Sequence, residues 1–142
     1  MDKGNIPLSV EDLSALFVRG SSVVYAMEPL ERFPLVSIGE NITKIIGLTA
    51  KECLANPEFW THFVHPDDAP GVHEEWRNIF EDGDSAHEYR LKHQSGGWRW
   101  VRDERMLQLD AAGKPKLILG KLDDITEHKD TEDRLRALDA RF

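Results

Sequence analysis

Glu88-Tyr89-Arg90-Leu91-Lys92 alternates polar and apolar side chains, and Ser95-Gly96-Gly97 separates it from Trp98-Arg99-Trp100-Val101-Arg102-Asp103. A two-residue alternation marks a strand with one face on a core and the other in solvent. The glycines between the two runs permit a tight reversal, so the pair reads as an antiparallel hairpin. The second strand runs from Trp98 to about Leu109, Asp110-Ala111-Ala112-Gly113 turns the chain again, and a third strand covers 116–125. Gly120 inside that last strand signals either a bulge or the close approach of something bulky.

Working outward, two shorter strands are predicted over 23–26 and 33–38, joined by a turn containing Pro29. Between them and the hairpin the periodicity becomes helical. Asn41 can cap a segment carrying Ile42, Ile45 and Ile46 that Gly47 ends, and Thr49-Ala50-Lys51-Glu52 fits a capping box. Pro57 opens a segment around Phe59, Trp60 and Phe63. His65-Pro66-Asp67-Asp68 introduces a longer helix, with Asp67 or Asp68 as its cap. Val72, Trp76, Ile79 and Phe80 lie on one face of that helix, and Gly83 ends it. An N-terminal helix is predicted from Ser9 to Gly20 with a stripe of Val10, Leu13, Leu16 and Phe17. A second flanking helix begins at Thr126 and carries Leu135, Leu138 and Phe142. Two strands, a helical middle and three more strands make an α+β fold with a five-stranded antiparallel sheet.

A chain of 142 residues, 40% apolar and 31% charged, suits one globular domain. Eighteen Lys and Arg against 26 Asp and Glu leave a net charge of −8, which argues against gripping nucleic acid or anionic lipid. Cys53 has no second cysteine to pair with, and no apolar run approaches the roughly 18 residues of a spanning helix. The expectation is a cytoplasmic protein making no membrane contact through this segment.

The run Ile45-Ile46-Gly47-Leu48-Thr49-Ala50-Lys51-Glu52, then His65-Pro66-Asp67-Asp68 and Glu88-Tyr89-Arg90-Leu91, resembles the PAS domain family. The likeness continues through Gly97-Trp98-Arg99-Trp100-Val101-Arg102-Asp103 and closes with Gly120 and Asp124-Ile125-Thr126-Glu127-His128-Lys129. It points to the branch with a His-Pro-Asp-Asp helix start. The resemblance implies a sheet of order 2-1-5-4-3 with helices over one face and an optional pocket between the layers. It also implies a sensory or dimerisation module of a signalling protein such as a histidine kinase or diguanylate cyclase. On that reading 1–22 is an N-terminal helical extension, 23–126 the PAS domain and 127–142 the start of a C-terminal signalling helix. The partners are a second copy through the flanking helices, a C-terminal effector domain and a small-molecule ligand.

Candidate pocket residues, chosen from apolar alternation and helix phase, are Trp76, Tyr89, Leu91, Leu107 and Ile118. Asp124, Ile125 and Thr126 are the candidate relay, because a strand must become a helix there and the first helical amides need acceptors. Asp124 and Thr126 are both able to supply one. His73 on the long helix is the candidate axial ligand in an alternative reading as a haem-binding gas or redox sensor. No cofactor is required by the sequence. The 55–60 stretch lacks the cysteine of a photoactive flavin domain, and nothing supports a non-covalent flavin. His65, Asp67 and Asp68 are spaced too tightly to converge on a metal without a distant ligand, so no metal site is assigned. No catalytic residue is assigned either: the serines lack a paired base, and no glycine-rich phosphate loop precedes a helix. Trp98 and Trp100 share a strand face, which suits either packing or an interface.

Overall fold

A computed structural model describes residues 22–139 except Pro57. The predicted N-terminal helix, Pro57 and Phe142 lie outside the described residues. β1 (Val23–Met27) and β2 (Leu35–Ile38) are followed by a 3-10 turn at Glu40–Ile42 and by helices α1 (Thr43–Ile46), α2 (Ala50–Leu54), α3 (Phe59–Phe63) and α4 (Ala69–Asp82). β3 (Asp84–Lys92), β4 (Trp98–Leu109) and β5 (Pro115–Asp124) complete the sheet, and α5 (Thr126–Asp139) leaves it. The strand order is β2-β1-β5-β4-β3, with every neighbouring pair antiparallel, as expected.

The helices end where the sequence stops them. Gly47 and Gly83 both adopt φ of +82°, a left-handed conformation that costs a glycine little. Thr49 and Glu52 form the capping box in both directions. Three local expectations give way to longer-range contacts. Asn41 does not cap a helix; it sits within the 3-10 turn and its amide donates to the Ser22 carbonyl, tying that turn to the start of β1. Neither Asp67 nor Asp68 caps α4 with its side chain: Asp68 holds the N-cap position, but its carboxylate is engaged by Arg90. Phe33 does not begin β2. Arg32 and Phe33 have φ of 69° and 49°, and this turn folds the Phe33 ring onto Trp76 at 5.4 Å.

The core lies between the helices and one sheet face. Val72, Trp76 and Ile79 of α4 are buried there, whereas Phe80 at the edge of the stripe is 42% exposed. Tyr25, Gly120 and Arg105 stand side by side across β1, β5 and β4 on that face. A Cβ on Gly120 would fall 2.1 Å from the Tyr25 ring, so this glycine marks a close approach. The register on either side of it is unbroken.

Candidate functional site

Two groups of side chains combine position with chemistry. The first is inside the core. Period-two alternation along β4 directs Val101, Asp103, Arg105 and Leu107 to the same face, so two charged residues enter an apolar interior. Both charged side chains are fully buried, and Arg105 Nε faces Asp103 Oδ2 at 3.4 Å without the alignment of a hydrogen bond. The Tyr25 hydroxyl donates to Asp103 Oδ1 and the Tyr89 hydroxyl to Oδ2, both at 2.7 Å. Arg105 Nη2 donates to His87 Nδ1 at 2.9 Å, and the guanidinium lies 4.6 Å from the centre of the Trp76 ring.

Burial governs the ionisation of this group. It pushes both tyrosines well above the usual phenol range, with Asp103 adding to the effect, so both hydroxyls remain donors. Burial also raises Asp103, although Arg105 and the two hydroxyls favour its charged form. His87 is pulled down to about 4, first by burial and then by the Arg105 charge, so it is a neutral acceptor near pH 7.

Of the five predicted pocket residues, Trp76, Tyr89, Leu91 and Ile118 are buried in one core cluster and Leu107 is partly buried against it. Trp60 fills the space beside them, with its ring 5.1 Å from both Tyr25 and Trp76. Two surface grooves lie elsewhere. One, of about 610 Å³, crosses the opposite sheet face past Val24, Ala86, Glu104, Met106 and Leu119. The other runs beside α4 between Phe33, His73, Arg77 and Phe80. Neither is lined by any of the five. His73 is half-buried, edge-on to Trp76 at 5.7 Å, and burial and Arg77 lower its pKa. No cluster of three His, Cys, Asp or Glu side chains suited to a metal occurs among the described residues. Cys53 is buried, and burial followed by the neighbouring Glu52 raises its thiol to about 11, leaving it protonated and unreactive near pH 7.

The second group surrounds Trp100 on the other sheet face. Arg90 grips both carboxylate oxygens of Asp68 at 2.9 Å, and its backbone amide donates to Asp68 Oδ2 as well. Burial opposes the Asp68 charge, but these bonds prevail and hold its pKa below the ordinary value. The same guanidinium lies 5.0 Å from the Trp100 ring centre, directly across the β3–β4 pair. Lys129 of α5 approaches the ring at 5.1 Å while donating to Glu88 at 2.7 Å.

The junction itself closes on the Trp100 backbone. The Ile125 amide donates to the Trp100 carbonyl at 2.9 Å, and the Trp100 amide donates to Thr126 Oγ1 at 3.0 Å. Asp124 Oδ1 accepts from both the Thr126 amide, at 2.9 Å, and the Thr126 hydroxyl, at 2.6 Å. The two candidate acceptors therefore have different tasks. Asp124 satisfies the first amide of α5, and Thr126 carries the β4 hydrogen-bonding pattern past the end of β5. Ile125 occupies the cap position, since its carbonyl accepts from Lys129 N. The structure places Asp124, Ile125 and Thr126 together at the β5–α5 junction, whereas the sequence assigns no role to Asp103, Arg105, Arg90 or Lys129. Alternation outward from Val101 and Leu107 places the first two on the core face.

The PAS fold family matches residues 35–122, and the chain belongs to that family. It is 27% identical over 124 residues to the methyl sulfide methyltransferase-associated sensor of Methanosarcina acetivorans, covering 86% of this chain and 12% of that protein. It is 33% identical over 79 residues to the two-component sensor PprA of Pseudomonas aeruginosa, covering 56% of this chain and 9% of that one. The chain thus spans about a tenth of the length of these relatives. Among solved structures, a sensory box histidine kinase/response regulator from Burkholderia thailandensis superposes with a TM-score of 0.71 at 26% identity. That match covers 89% of this chain and 95% of the other. The similar proteins are sensors, which supports a PAS sensory module. No helix among the described residues is long and apolar enough to cross a membrane.

Proposed function

We propose that residues 23–126 sense a small ligand in the core and pass a change in sheet packing to α5, which biases a C-terminal output domain of the histidine kinase or diguanylate cyclase type. The module itself carries out no reaction. Trp76, Tyr89, Leu91, Leu107 and Ile118 form the apolar walls of the sensing site, and Asp124, Ile125 and Thr126 are the relay. The observation that carries this reading is the grip of Ile125 and Thr126 on both backbone polar groups of Trp100. Such a contact makes the start of α5 respond to displacement of β4. A relay of this kind needs two states that the input favours unequally, with a coupling free energy typically of 1–3 kcal/mol.

α5 also supplies a surface for a second copy. Leu135 is 57% and Leu138 49% exposed, and no residue of α5 is buried among those described. Two such helices side by side would cover these leucines, which favours a homodimer through the flanking helices. The test is a fusion of this chain ahead of a histidine kinase core. Thr126→Val should change autophosphorylation at least about fivefold, in line with that coupling range, while leaving the melting temperature nearly unaltered. Unchanged autophosphorylation in the folded variant would refute the relay.

A further inference from the structure

The buried core holds several side-chain N–H donors without a hydrogen-bond partner. Among the described residues, the buried side-chain atoms without a hydrogen-bond partner include Trp60 Nε1, Trp76 Nε1, Arg105 Nε and Arg105 Nη1. All four are N–H donors, and their residues are between 97% and 100% buried. The three side chains belong to one assembly: Arg105 lies 4.6 Å from the Trp76 ring centre, and Trp76 lies 5.1 Å from Trp60. Ser85, opposite Arg105 in the β3–β4 register, keeps its buried hydroxyl unpartnered as well, while the other acceptors nearby are engaged. Each Asp103 oxygen takes a tyrosine hydroxyl, and His87 Nδ1 takes Arg105 Nη2. A buried donor without a partner costs about 1–3 kcal/mol, so several in one place describe a site arranged for an acceptor.

Charge narrows the choice of acceptor. Arg105 is the one buried cation of the cluster, and Asp103 already balances it within the same dry interior. An anionic ligand would add a second negative charge beside Asp103 with no further cation to offset it. The surroundings are otherwise aromatic and aliphatic, with Tyr25, Phe59, Met27 and Ile118 all fully buried.

We propose that this cluster binds a small neutral molecule with an apolar body, whose carbonyl or oxo oxygen accepts hydrogen bonds from the Trp60 and Trp76 indoles and from Arg105. This rests on the sensory reading above and names its ligand class. Trp60 and Trp76 are carried by α3 and α4, and Arg105 by β4. A molecule seated among them therefore separates α4 from the sheet. The Asp68 end of α4 is bound to Arg90, which faces Trp100, so the displacement reaches the α5 junction.

The test uses the intact chain and three probes sharing one ring: cyclohexanone, cyclohexanecarboxylate and cyclohexylammonium. The readout is the indole N–H resonances of the four tryptophans. Cyclohexanone should shift the Trp60 and Trp76 signals downfield in a saturable manner and leave Trp98 in place, and the two charged probes should do neither. Trp76→Phe and Arg105→Lys should each weaken saturation about fivefold, the loss of roughly one hydrogen bond. No saturable response to cyclohexanone, a stronger response to either charged probe, or undiminished binding in a variant that retains the Trp98 signal would overturn the proposal. If Arg105→Lys does not fold, Trp76→Phe and the comparison of probes still decide. Failure here, with the kinase fusion still responding to Thr126→Val, would remove the ligand class and leave the relay standing.

Discussion

Arg90 binds the two oxygens of Asp68 at 2.9 Å and lies over the Trp100 ring at 5.0 Å, which connects the start of α4 to the strand that holds α5. His-Pro-Asp-Asp meets the Trp-rich strand through these side chains, and Asp-Ile-Thr joins the same strand through the Trp100 backbone. An ion pair with several aligned bonds at a partly buried position is stiffer than a solvated surface pair, so it transmits position as well as charge.

Asp124→Ala removes the acceptor that satisfies the first amide of α5. Its expected cost is about 0.5–2 kcal/mol of helix stability, the usual loss at a helix N-terminus. Hydrogen exchange should show faster loss of protection at 129–131. The core amides of β4 and β5 should keep theirs, because Asp124 is exposed and fills no core space.

The chain has two tyrosines, and both donate to Asp103 from full burial. Their pKa values are raised well above 10, so an ultraviolet titration of the native protein should show no phenolate near pH 10–11. Phenolate absorbance should appear only with alkaline unfolding. A phenolate signal near pH 10 from folded protein would contradict the buried tyrosine–aspartate arrangement.

His87 contributes a pH dependence of known sign. Its folded pKa is about 4 against 6.5 when unfolded, so the unfolded chain binds more protons between these values. The contribution to stability is fully present above about pH 6.5 and is lost as pH falls toward 4. The melting temperature should therefore decline on acidification from pH 7 to 5, and His87→Gln should flatten that decline. Equal slopes in the two proteins would assign the pH dependence to other groups.

Gly120→Ala places a methyl group against the Tyr25 ring, on a strand whose register leaves no bulge to absorb it. Overpacking typically costs about 1–3 kcal/mol, and the backbone on both sides is fixed by ladder bonds, so a loss at the upper end is expected. Chemical denaturation measures it directly.

Where a residue's partner lies nearby in the chain, sequence and structure agree. The bounds of β4, the stops at Gly47 and Gly83 and the Thr49–Glu52 box depend on local propensity and are found where periodicity puts them. At Gly120 the sequence leaves a bulge and a close approach open, and the unbroken register with the Tyr25 ring against it decides for the second. Asp68 differs because its choice between capping α4 and pairing depends on Arg90, 22 residues away. Asn41 similarly reaches back to Ser22. The sequence does not reveal Asp103 and Arg105 for another reason: charged residues are rarely buried unless paired, and the pairing that makes them tolerable is invisible until β1, β3 and β4 are aligned.

The most direct test of the coupling between α4 and α5 is hydrogen exchange at 129–131 in Arg90→Met, which keeps an apolar side chain over Trp100 but removes both guanidinium bonds to Asp68, leaving the backbone one. Protection should fall both in the first turn of α4 and at these α5 amides, with the melting temperature little changed. Loosened α4 amides beside unaltered exchange in α5 would contradict the coupling.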